Sequence, residues 1–365
     1  FNGGTLESII GKGYTGGKNV DVDNLEDSDS FGSSVSLNAA GDRLAVGALG
    51  DDGAGNVANL SGAAHLFSFT DTDFSGGTVV STIGKGYIVG KNVEVSNLEN
   101  SDGFGNAVSL NSAGDRLAVG AEFDDGLAND FNNTGAAYLF SFTDTDFDGG
   151  TLVSTLGKGY SGTIDVDLAN LDDGDFLGRS VSLNGPGDRL AVGAIGDDGA
   201  GNLATGSGAT YLFSFTDMVF SGGTLESMIG DGYVGGKDLD IANLDASDQF
   251  GSSISLNSTG GRLAVGAQGD NGAGNLAIGS GAVYLFSFTD TDFNSGILEI
   301  TIGKGYSGGQ NVDVVNLEND DKFGGSISLN SVGDRLTVGA TGDDGAGNAA
   351  NSSGAAYLFS SSGGV

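Results

Sequence analysis

Small polar and apolar residues alternate along short stretches of the chain. The first clear stretch, residues 34–37 (SVSL), has the two-residue period of a half-buried β-strand. Residues 38–42 are rich in Asn, Gly and Asp, which favour tight turns, and a returning strand is predicted over 43–48. A third strand is predicted over 63–69 and a fourth over 78–83, with loops rich in Gly, Asp and Asn between them. No sustained apolar stripe of 3.6-residue period indicates a helix.

This group of strands repeats every 73 residues. The opening segment FNGGTLES recurs with small changes at Phe74, Phe147, Phe220 and Phe293. All nine Tyr, five of the six Arg and the single His fall on fixed positions of the repeat. The 365 residues are therefore predicted to form one domain of five repeats, with the boundaries 1–73, 74–146, 147–219, 220–292 and 293–365.

Four antiparallel strands in each of five repeats predict an all-β fold, a five-bladed β-propeller of four-stranded antiparallel blades. The chain begins with a fourth strand, 5–10, and ends with a third strand, 355–359. We expect these two strands to pair, so that the N-terminal strand joins the last blade and closes the ring. The alternative is a piece of a longer linear array of repeats.

The order of short motifs resembles the FG-GAP repeat family, whose blades build the integrin α-subunit propeller and many bacterial surface proteins. The resemblance rests on Phe31-Gly32, on RLAVGA at 43–48 and on GAAHLF at 62–67, with their equivalents in all five repeats. The third repeat departs from it with Leu177-Gly178. Calcium-binding blades of that family carry a DxDxDG-type loop in the hairpin that here is only residues 38–42. The family's calcium site is therefore not expected in this chain.

The composition of the chain excludes several kinds of site and partner. The chain contains 69 Gly, no Cys and one His, and its formal net charge is −34. A disulfide framework and Cys-ligated metal sites are excluded, and the acidic charge argues against nucleic acid and anionic membranes as partners. No apolar stretch is long enough for a membrane span, so membrane insertion is not expected. The chain starts at Phe1 rather than Met, and we expect a secreted, processed protein or a piece of a longer one.

Paired acidic residues in one loop are the best metal candidates. Calcium prefers six to eight oxygen ligands, which carboxylates and the carbonyls of a glycine-rich turn can supply. The alternative is that these side chains cap turns by accepting backbone N–H groups. The candidate calcium ligands are Asp51, Asp52, Asp124, Asp125, Asp197, Asp198, Asp270, Asn271, Asp343 and Asp344.

One Tyr per repeat ends a GxGY motif, and aromatic faces of this kind can stack on sugars. The alternative is a Tyr packed at the end of the outer strand. The candidate ligand-binding residues are Tyr14, Tyr87, Tyr160, Tyr233 and Tyr306.

Three further positions are interpreted as structural. The Arg at position 43 and its equivalents are expected to pair with carboxylates or carbonyls. His65 stands where the other repeats have Tyr and is interpreted as repeat drift. An Asp just before the Phe-Gly position is expected to lie in a solvated loop; its copies are Asp29, Asp102, Asp175, Asp248 and Asp321.

No residue unique to one repeat suggests an acid, base or nucleophile, so the chain is not expected to be an enzyme. We expect a non-catalytic extracellular scaffold or adhesion module that presents repeated binding surfaces and forms part of a surface layer or fibre. Its expected partner is a protein or glycan at the cell surface, or a further copy of itself. A calcium-assisted carbohydrate-binding lectin is the alternative, and a hydrolase using paired carboxylates is a third.

Overall fold

A computed structural model describes residues 4–217, 219–290, 292–347 and 349–361. Their regular elements are strands and one short 3-10 helix, Leu127–Asn129. No helix among the described residues has the length and apolar character needed to cross a membrane. The all-β prediction is confirmed.

The strands form five blades and one short additional ladder. In each of the first four blades, four antiparallel strands follow one another in chain order, and a short fifth strand pairs in parallel with the fourth. The ladder is β1 (Ile10–Gly11) with β2 (Val20–Asp21), and blade one is β3 (Phe31–Leu37), β4 (Arg43–Ala48), β5 (Ala63–Ser68), β6 (Thr78–Gly84) and β7 (Val93–Glu94).

The remaining blades follow the same plan. Blade two is β8 (Ala107–Leu110), β9 (Arg116–Ala121), β10 (Ala136–Ser141), β11 (Thr151–Gly157) and β12 (Val166–Asp167). Blade three is β13 (Leu177–Leu183), β14 (Arg189–Ala194), β15 (Ala209–Ser214), β16 (Thr224–Gly230) and β17 (Leu239–Asp240). Blade four is β18 (Phe250–Leu256), β19 (Arg262–Ala267), β20 (Ala282–Ser287), β21 (Ile297–Gly303) and β22 (Val312–Asp313), and blade five is β23 (Phe323–Leu329), β24 (Arg335–Ala340) and β25 (Ala355–Ser360).

The predicted hairpin between the first two strands is built by one asparagine. In blade one, Asn38 Oδ1 accepts the backbone N–H groups of Gly41, Asp42 and Arg43 at 3.0–3.1 Å. This Asx-type turn satisfies three donors that the tight loop would otherwise leave unpaired. Asn111 and Asn330 make the same three bonds in blades two and five.

Consecutive blades meet through their backbones. A Cβ on Gly47 of β4 would lie 1.9 Å from the carbonyl oxygen of Gly105 in the next blade, so only glycine allows this approach. Gly120, Gly193 and Gly266 stand in the same relation to the following blade. The first strands of neighbouring blades also contact one another, which is the arrangement of a five-bladed propeller and confirms the prediction.

Apolar residues fill the space between these sheets. Leu66 of blade one is buried in one cluster with Val108 and Leu110 of blade two. Leu139 meets blade three in the same way, and Leu212 meets blade four. The core therefore lies between blades as well as within them, and each blade depends on the next one for part of its burial.

The predicted ring closure is wrong. Among the described residues, the third strand of the last blade, β25, pairs only with β24, whereas Ile10–Gly11 pairs with Val20–Asp21. On blade one Val35 is 65% exposed, and on blade five Leu358 is 78% exposed. The glycine-to-carbonyl contact that joins consecutive blades is not made by Gly339 of blade five within the described residues.

Candidate functional site

The two predicted ligand sets turn out to be hydrogen-bond partners of each other. In blade two the Tyr160 hydroxyl donates to the Asp124 carboxylate, with O–O distances of 3.0 and 3.1 Å. The Tyr138 hydroxyl donates to the same carboxylate. Both tyrosines and the aspartate are buried. Tyr160 is therefore packed against its own blade and does not present its ring for sugar stacking.

The same bond recurs in the other complete blades. Tyr87 donates to Asp51, Tyr233 to Asp197 and Tyr306 to Asp270, all at 2.9–3.2 Å. Tyr14 precedes blade one, and its side chain is exposed. The sugar-stacking prediction stays a prediction, and this geometry does not supply a row of open rings.

The side chains of the paired acidic residues likewise accept hydrogen bonds from nearby groups of the chain. Asp51 Oδ1 accepts the N–H of Gly53 at 2.7 Å, and Asp52 Oδ1 accepts the N–H of Leu60 at 2.7 Å. Burial raises the pKa of Asp51 to about 6. In the other repeats, both residues of each pair also accept hydrogen bonds from backbone N–H groups. The pairs are Asp124-Asp125, Asp197-Asp198, Asp270-Asn271 and Asp343-Asp344.

No group of three or more His, Asp or Glu side chains is arranged to hold a metal ion within the described ranges. The carboxylates predicted as ligands bond instead to backbone N–H groups and tyrosine hydroxyls, which is the turn-capping alternative. The calcium prediction stays a prediction without a preformed site to support it.

The aspartates before the Phe-Gly position are not solvated, contrary to the prediction. Asp102 is buried, and its Oδ2 accepts the N–H of Glu99 at 2.7 Å. Burial, followed by the charge of nearby Asp124, raises the pKa of Asp102 to about 7. Burial also raises the pKa of Asp175 and of Asp248 to about 7. The local turn buries these carboxyls because it needs an acceptor for its N–H.

The recurrent arginines hold neighbouring blades together. Arg43 pairs with Asp146 in a loop of the next blade, with a distance of 2.5 Å between Nη2 and Oδ1. The guanidinium of Arg116 lies over the ring of Phe220 at 5.6 Å, and that of Arg189 lies over Phe293 at 5.8 Å. The structural interpretation of these arginines agrees with their contacts.

Blade two breaks the repeat at one point on its rim. The other blades place Gly50, Gly196, Gly269 and Gly342 just after the second strand, where a Cβ would lie 1.8–2.2 Å from a backbone carbonyl oxygen. Blade two has Phe123 there. Its ring is 37% exposed and meets Phe176 of the next blade edge to face, with centroids 5.9 Å apart. The first strand of blade two is also shorter, four residues against seven in the others.

An ion pair lies beside these two rings. The Arg179 guanidinium donates through Nη1 to both carboxylate oxygens of Glu122, at 2.9 and 3.2 Å. Glu122 is buried, whereas the Arg179 side chain is 40% exposed. Arg179 is the one arginine outside the recurrent position. The equivalents of Glu122 in the other repeats are Leu49, Ile195, Gln268 and Thr341.

Burial raises the pKa of the Glu122 carboxyl, although Arg179 acts in the opposite direction. A carboxyl of this kind can hold a proton and give it up, as a general acid must. The side chain of Asn106 donates to the backbone oxygens of Gly178 and Arg179, and its buried Oδ1 has no hydrogen-bond partner among the described residues. Glu122, Phe123, Phe176 and Arg179, which we call the rim cluster, thus combine charge, an acid and exposed aromatic surface.

The rim cluster is not among the residues predicted from the sequence. Those predictions concern positions shared by the repeats and include no acid or base unique to one repeat. The signal was present in the departures from the repeat, above all the sixth arginine and a Phe where the other four repeats have Gly.

The FG-GAP repeat family matches the chain five times, at residues 23–67, 95–140, 170–213, 242–286 and 316–359, which is more than half of the sequence. The chain belongs to the FG-GAP repeat family. Each matched segment ends within the third strand of its blade, so the family's motifs lie on the framework described above. The resemblance inferred from the sequence is confirmed. No curated protein matches the chain.

Among solved structures, the chain is similar to the periplasmic gluconolactonase PpgL of Pseudomonas aeruginosa. The TM-score is 0.45 at 12% identity, and the match covers 84% of this chain and 64% of that structure. The chain thus spans less than two thirds of that protein. At this distance the similarity concerns the fold and carries no argument about the activity of this chain.

This comparison corrects two expectations. The chain was expected to be a non-catalytic scaffold, adhesion module or lectin, and therefore not an enzyme. A protein of similar fold is named as a gluconolactonase, which is an enzyme. The expectation that the chain is not an enzyme is therefore not upheld, and any activity has to be argued from the residues of this chain.

Proposed function

We propose that the chain is an enzyme of the general-acid type, which acts at the rim cluster on a small aromatic carboxylate. The observation that carries the proposal is the Glu122–Arg179 pair, a buried acid beside a half-exposed guanidinium where the other repeats have none. An active site needs such an asymmetry, because five identical positions cannot give five different roles.

Arg179 would bind the carboxylate of the substrate. Its contact with Glu122 uses Nη1, and guanidinium groups bind carboxylates through two parallel N–H donors. Phe123 and Phe176 offer aromatic surface next to it for a flat ring, and an edge-to-face or offset contact adds about 0.5–1.5 kcal/mol to the burial of such a ring.

The strongly acidic chain would repel an anion at long range. Salt at about 0.15 M screens charges that lie more than roughly 8 Å apart, so the contact with Arg179 decides binding under those conditions. We therefore expect the affinity for the carboxylate to increase with ionic strength, opposite to the usual trend for binding to an isolated arginine.

The chemistry assigned to Glu122 is proton transfer in ester hydrolysis. Water attacks the acyl carbon and loses one of its protons to solvent, the acyl carbon–oxygen bond breaks, and Glu122 gives its proton to the departing oxygen. The acid product ionises and releases the second water proton to solvent, from which Glu122 is protonated again. A carboxyl with a raised pKa suits this role because it remains protonated nearer to neutral pH.

Hydrolysis of 4-acetoxybenzoate in 0.15 M salt tests the proposal, with release of 4-hydroxybenzoate followed by absorbance. Glu122→Gln is expected to lower kcat by about 100-fold or more, the usual contribution of a general acid. Arg179→Lys is expected to raise KM while kcat changes little, because the charge remains and the planar fork is lost. Benzoate is expected to inhibit competitively.

Glu299→Gln and Arg262→Lys are the matched controls, since both residues lie in blade four and away from the rim cluster. Both are expected to retain the activity of the unmodified chain. Absence of turnover together with absence of benzoate binding in calorimetry would overturn the proposal, as would a Glu122→Gln variant with undiminished kcat.

We also propose that the chain works outside the cytoplasm, because the FG-GAP repeat family to which it belongs builds many bacterial surface proteins. The absence of Cys from the sequence is compatible with an oxidising compartment. Fractionation of cells that express the natural gene tests this, and recovery with the cytoplasmic fraction would contradict it.

A further inference from the structure

We propose that Arg116 binds a small monovalent anion, such as chloride, between blades two and three. Arg116 begins β9, and none of its surface is exposed. Its guanidinium donates from Nη1 to the carbonyl oxygen of Gly187 at 3.0 Å. Its Nε and Nη2 atoms are also buried, and neither has a hydrogen-bond partner among the described residues.

A buried guanidinium needs a negative partner, because arginine does not lose its proton in proteins. The ring of Phe220, 5.6 Å away, offsets part of the charge by a cation–π contact. This ring offers no acceptor of ordinary strength to the N–H groups on Nε and Nη2. A water molecule could accept them but would leave the charge of Arg116 uncompensated. An anion satisfies both the donors and the charge.

The equivalent arginines of the flanking blades show what kind of group belongs at this position. Arg43 pairs through Nη2 with the carboxylate of Asp146 at 2.5 Å, and its Nε donates to a backbone carbonyl oxygen of the same loop. The Nη2 atom of Arg189 lies 3.8 Å from the carboxylate of Asp292. The donors that Arg116 leaves unused are therefore the two with which Arg43 reaches a loop of the next blade.

The loop that would supply this carboxylate to Arg116 has Val219 at the equivalent position. Val219 is 47% exposed, and the side chains of Asp146 and Asp292 are 66% and 58% exposed. In the flanking blades the carboxylate thus reaches the buried arginine from a loop at the surface. We infer that an anion from solvent enters by the same route and replaces the carboxylate that Val219 lacks.

Three carboxylates near Arg116 limit the charge of the ion. Burial lowers the pKa of Arg116, and the charges of Asp115, Asp188 and Asp217 act in the opposite direction. Asp115 and Asp188 each accept the side-chain amide of the hairpin asparagine in their own blade, and Asp217 Oδ1 accepts two backbone N–H groups of its own loop at 2.9 Å. Their negative field favours one weakly held monovalent anion over phosphate or sulfate.

The site is separate from the rim cluster. Arg116 is the first residue of β9, and Glu122 follows its last residue, Ala121. At about 3.3 Å per residue, the two positions lie roughly 20 Å apart. Anion binding at Arg116 therefore does not rest on the activity proposed for the rim cluster.

The line width of the chlorine-35 NMR signal tests the proposal, with sodium chloride in excess over the protein and sodium gluconate as the other salt. Chloride that exchanges on and off a protein site broadens this line. The unmodified chain is expected to broaden it, and added bromide is expected to reverse the broadening by competition. Val219→Asp is expected to abolish the bromide-sensitive broadening, because its carboxylate can pair with Arg116 as Asp146 pairs with Arg43.

Two further variants control for charge and for the role of the loop. Val57→Asp adds the same charge at a valine of blade one that is 63% exposed, and it is expected to broaden the line as the unmodified chain does. Asp292→Val removes the carboxylate beside Arg189 and is expected to increase the bromide-sensitive broadening by opening a second site.

Melting temperatures give an independent measurement. Replacing gluconate by chloride at constant ionic strength is expected to raise the melting temperature of the unmodified chain and of Val57→Asp, but not that of Val219→Asp. An unmodified chain without bromide-sensitive broadening overturns the proposal and leaves water as the acceptor. Equal broadening by Val219→Asp and the unmodified chain would likewise overturn it, because the chloride would then bind elsewhere.

Discussion

Gly103 leaves room for the ring of Phe123: a Cβ at Gly103 would lie 3.1 Å from the Cδ2 atom of that ring. The equivalents of Gly103 are Ser30, Phe176, Gln249 and Lys322, and all four equivalents of Phe123 are glycines by necessity. The small residue at position 103 leaves room for the large one at position 123, which follows Glu122 in the chain.

Gly103→Ser is expected to destabilise the chain by about 1 kcal/mol, because the added atom pushes an aromatic ring that can shift only in part. Phe123→Gly removes that ring, so the double variant is expected to lose less stability than the two single changes together. Chemical unfolding of the four proteins measures the coupling free energy. Additive changes would show that the two positions are independent.

His65→Tyr is expected to stabilise blade one by about 1 kcal/mol, the usual net value of a buried hydrogen bond. His65 Nε2 is buried, has no hydrogen-bond partner in the described part of the chain and lies 3.9 Å from Asp51, whereas Tyr211 donates to Asp197 at 2.7 Å. Burial lowers the pKa of His65 to about 4, so the ring is neutral at pH 7 and offers Asp51 no charge. The melting temperature reports the gain, and Tyr211→His in blade three should produce the reverse.

Stability is expected to fall as the pH rises from about 4 to about 7. The carboxyls of Asp102, Asp175 and Asp248 have pKa values of about 7 in the folded chain, against 3.8 for an ordinary aspartate. Between these values the folded state binds more protons than the unfolded state, so each pH unit gained costs stability. Melting temperatures across this range check the sign, and a maximum near pH 7 would contradict it.

Asp102→Asn isolates one of these groups. The amide oxygen can still accept the N–H of Glu99, and the residue no longer ionises. We expect the variant to be more stable than the unmodified chain at pH 7.5, by on the order of 2 kcal/mol, and to show a flatter pH dependence. At pH 4 the two proteins should melt within a degree or so of each other.

Asp231→Lys is expected to stabilise blade three by about 1 kcal/mol. At the equivalent positions, Lys12, Lys85 and Lys304 donate to backbone carbonyl oxygens of the following loop, among them Asp23, Ser96 and Val315. Burial, and then the charges of Asp240 and Asp245, raise the pKa of Asp231. The carboxylate is therefore unfavourable at this position, where the other repeats have the positive charge of a lysine. Asp27→Lys, on an exposed residue, changes the net charge equally and should give a smaller rise in melting temperature.

Salt is expected to stabilise the chain, because a net charge of −34 favours expansion and counter-ions screen it. If calcium binds no dedicated site, calcium chloride and sodium chloride of equal ionic strength should raise the melting temperature by similar amounts. A clearly larger effect of calcium, reversed by a chelator, would reveal specific ligands.

The repeat, the strands and the family could be predicted because each depends on local pattern. The alternation in residues 34–37 and the turn residues at 38–42 mark β3 and β4 without any tertiary information. The ring closure could not be predicted, because it depends on how the blades are oriented relative to one another, which no local pattern in the sequence encodes. Asp102 was misjudged because an acid in a polar loop gives no sign that its own turn buries it.

Glu122 and Arg179 could not be predicted as a pair, for a different reason. They come from different repeats, 57 positions apart, and meet only because β13 packs beside β9. The sequence contains both departures from the repeat, but not the fact that they are neighbours.

Blades meet one another through features that every repeat possesses in the same place: the glycine and carbonyl contact and the recurrent arginine. Any module can therefore succeed any other. Such a chain can lengthen, shorten or shuffle by recombination within its gene without a new interface having to evolve, while single modules remain free to acquire chemistry of their own.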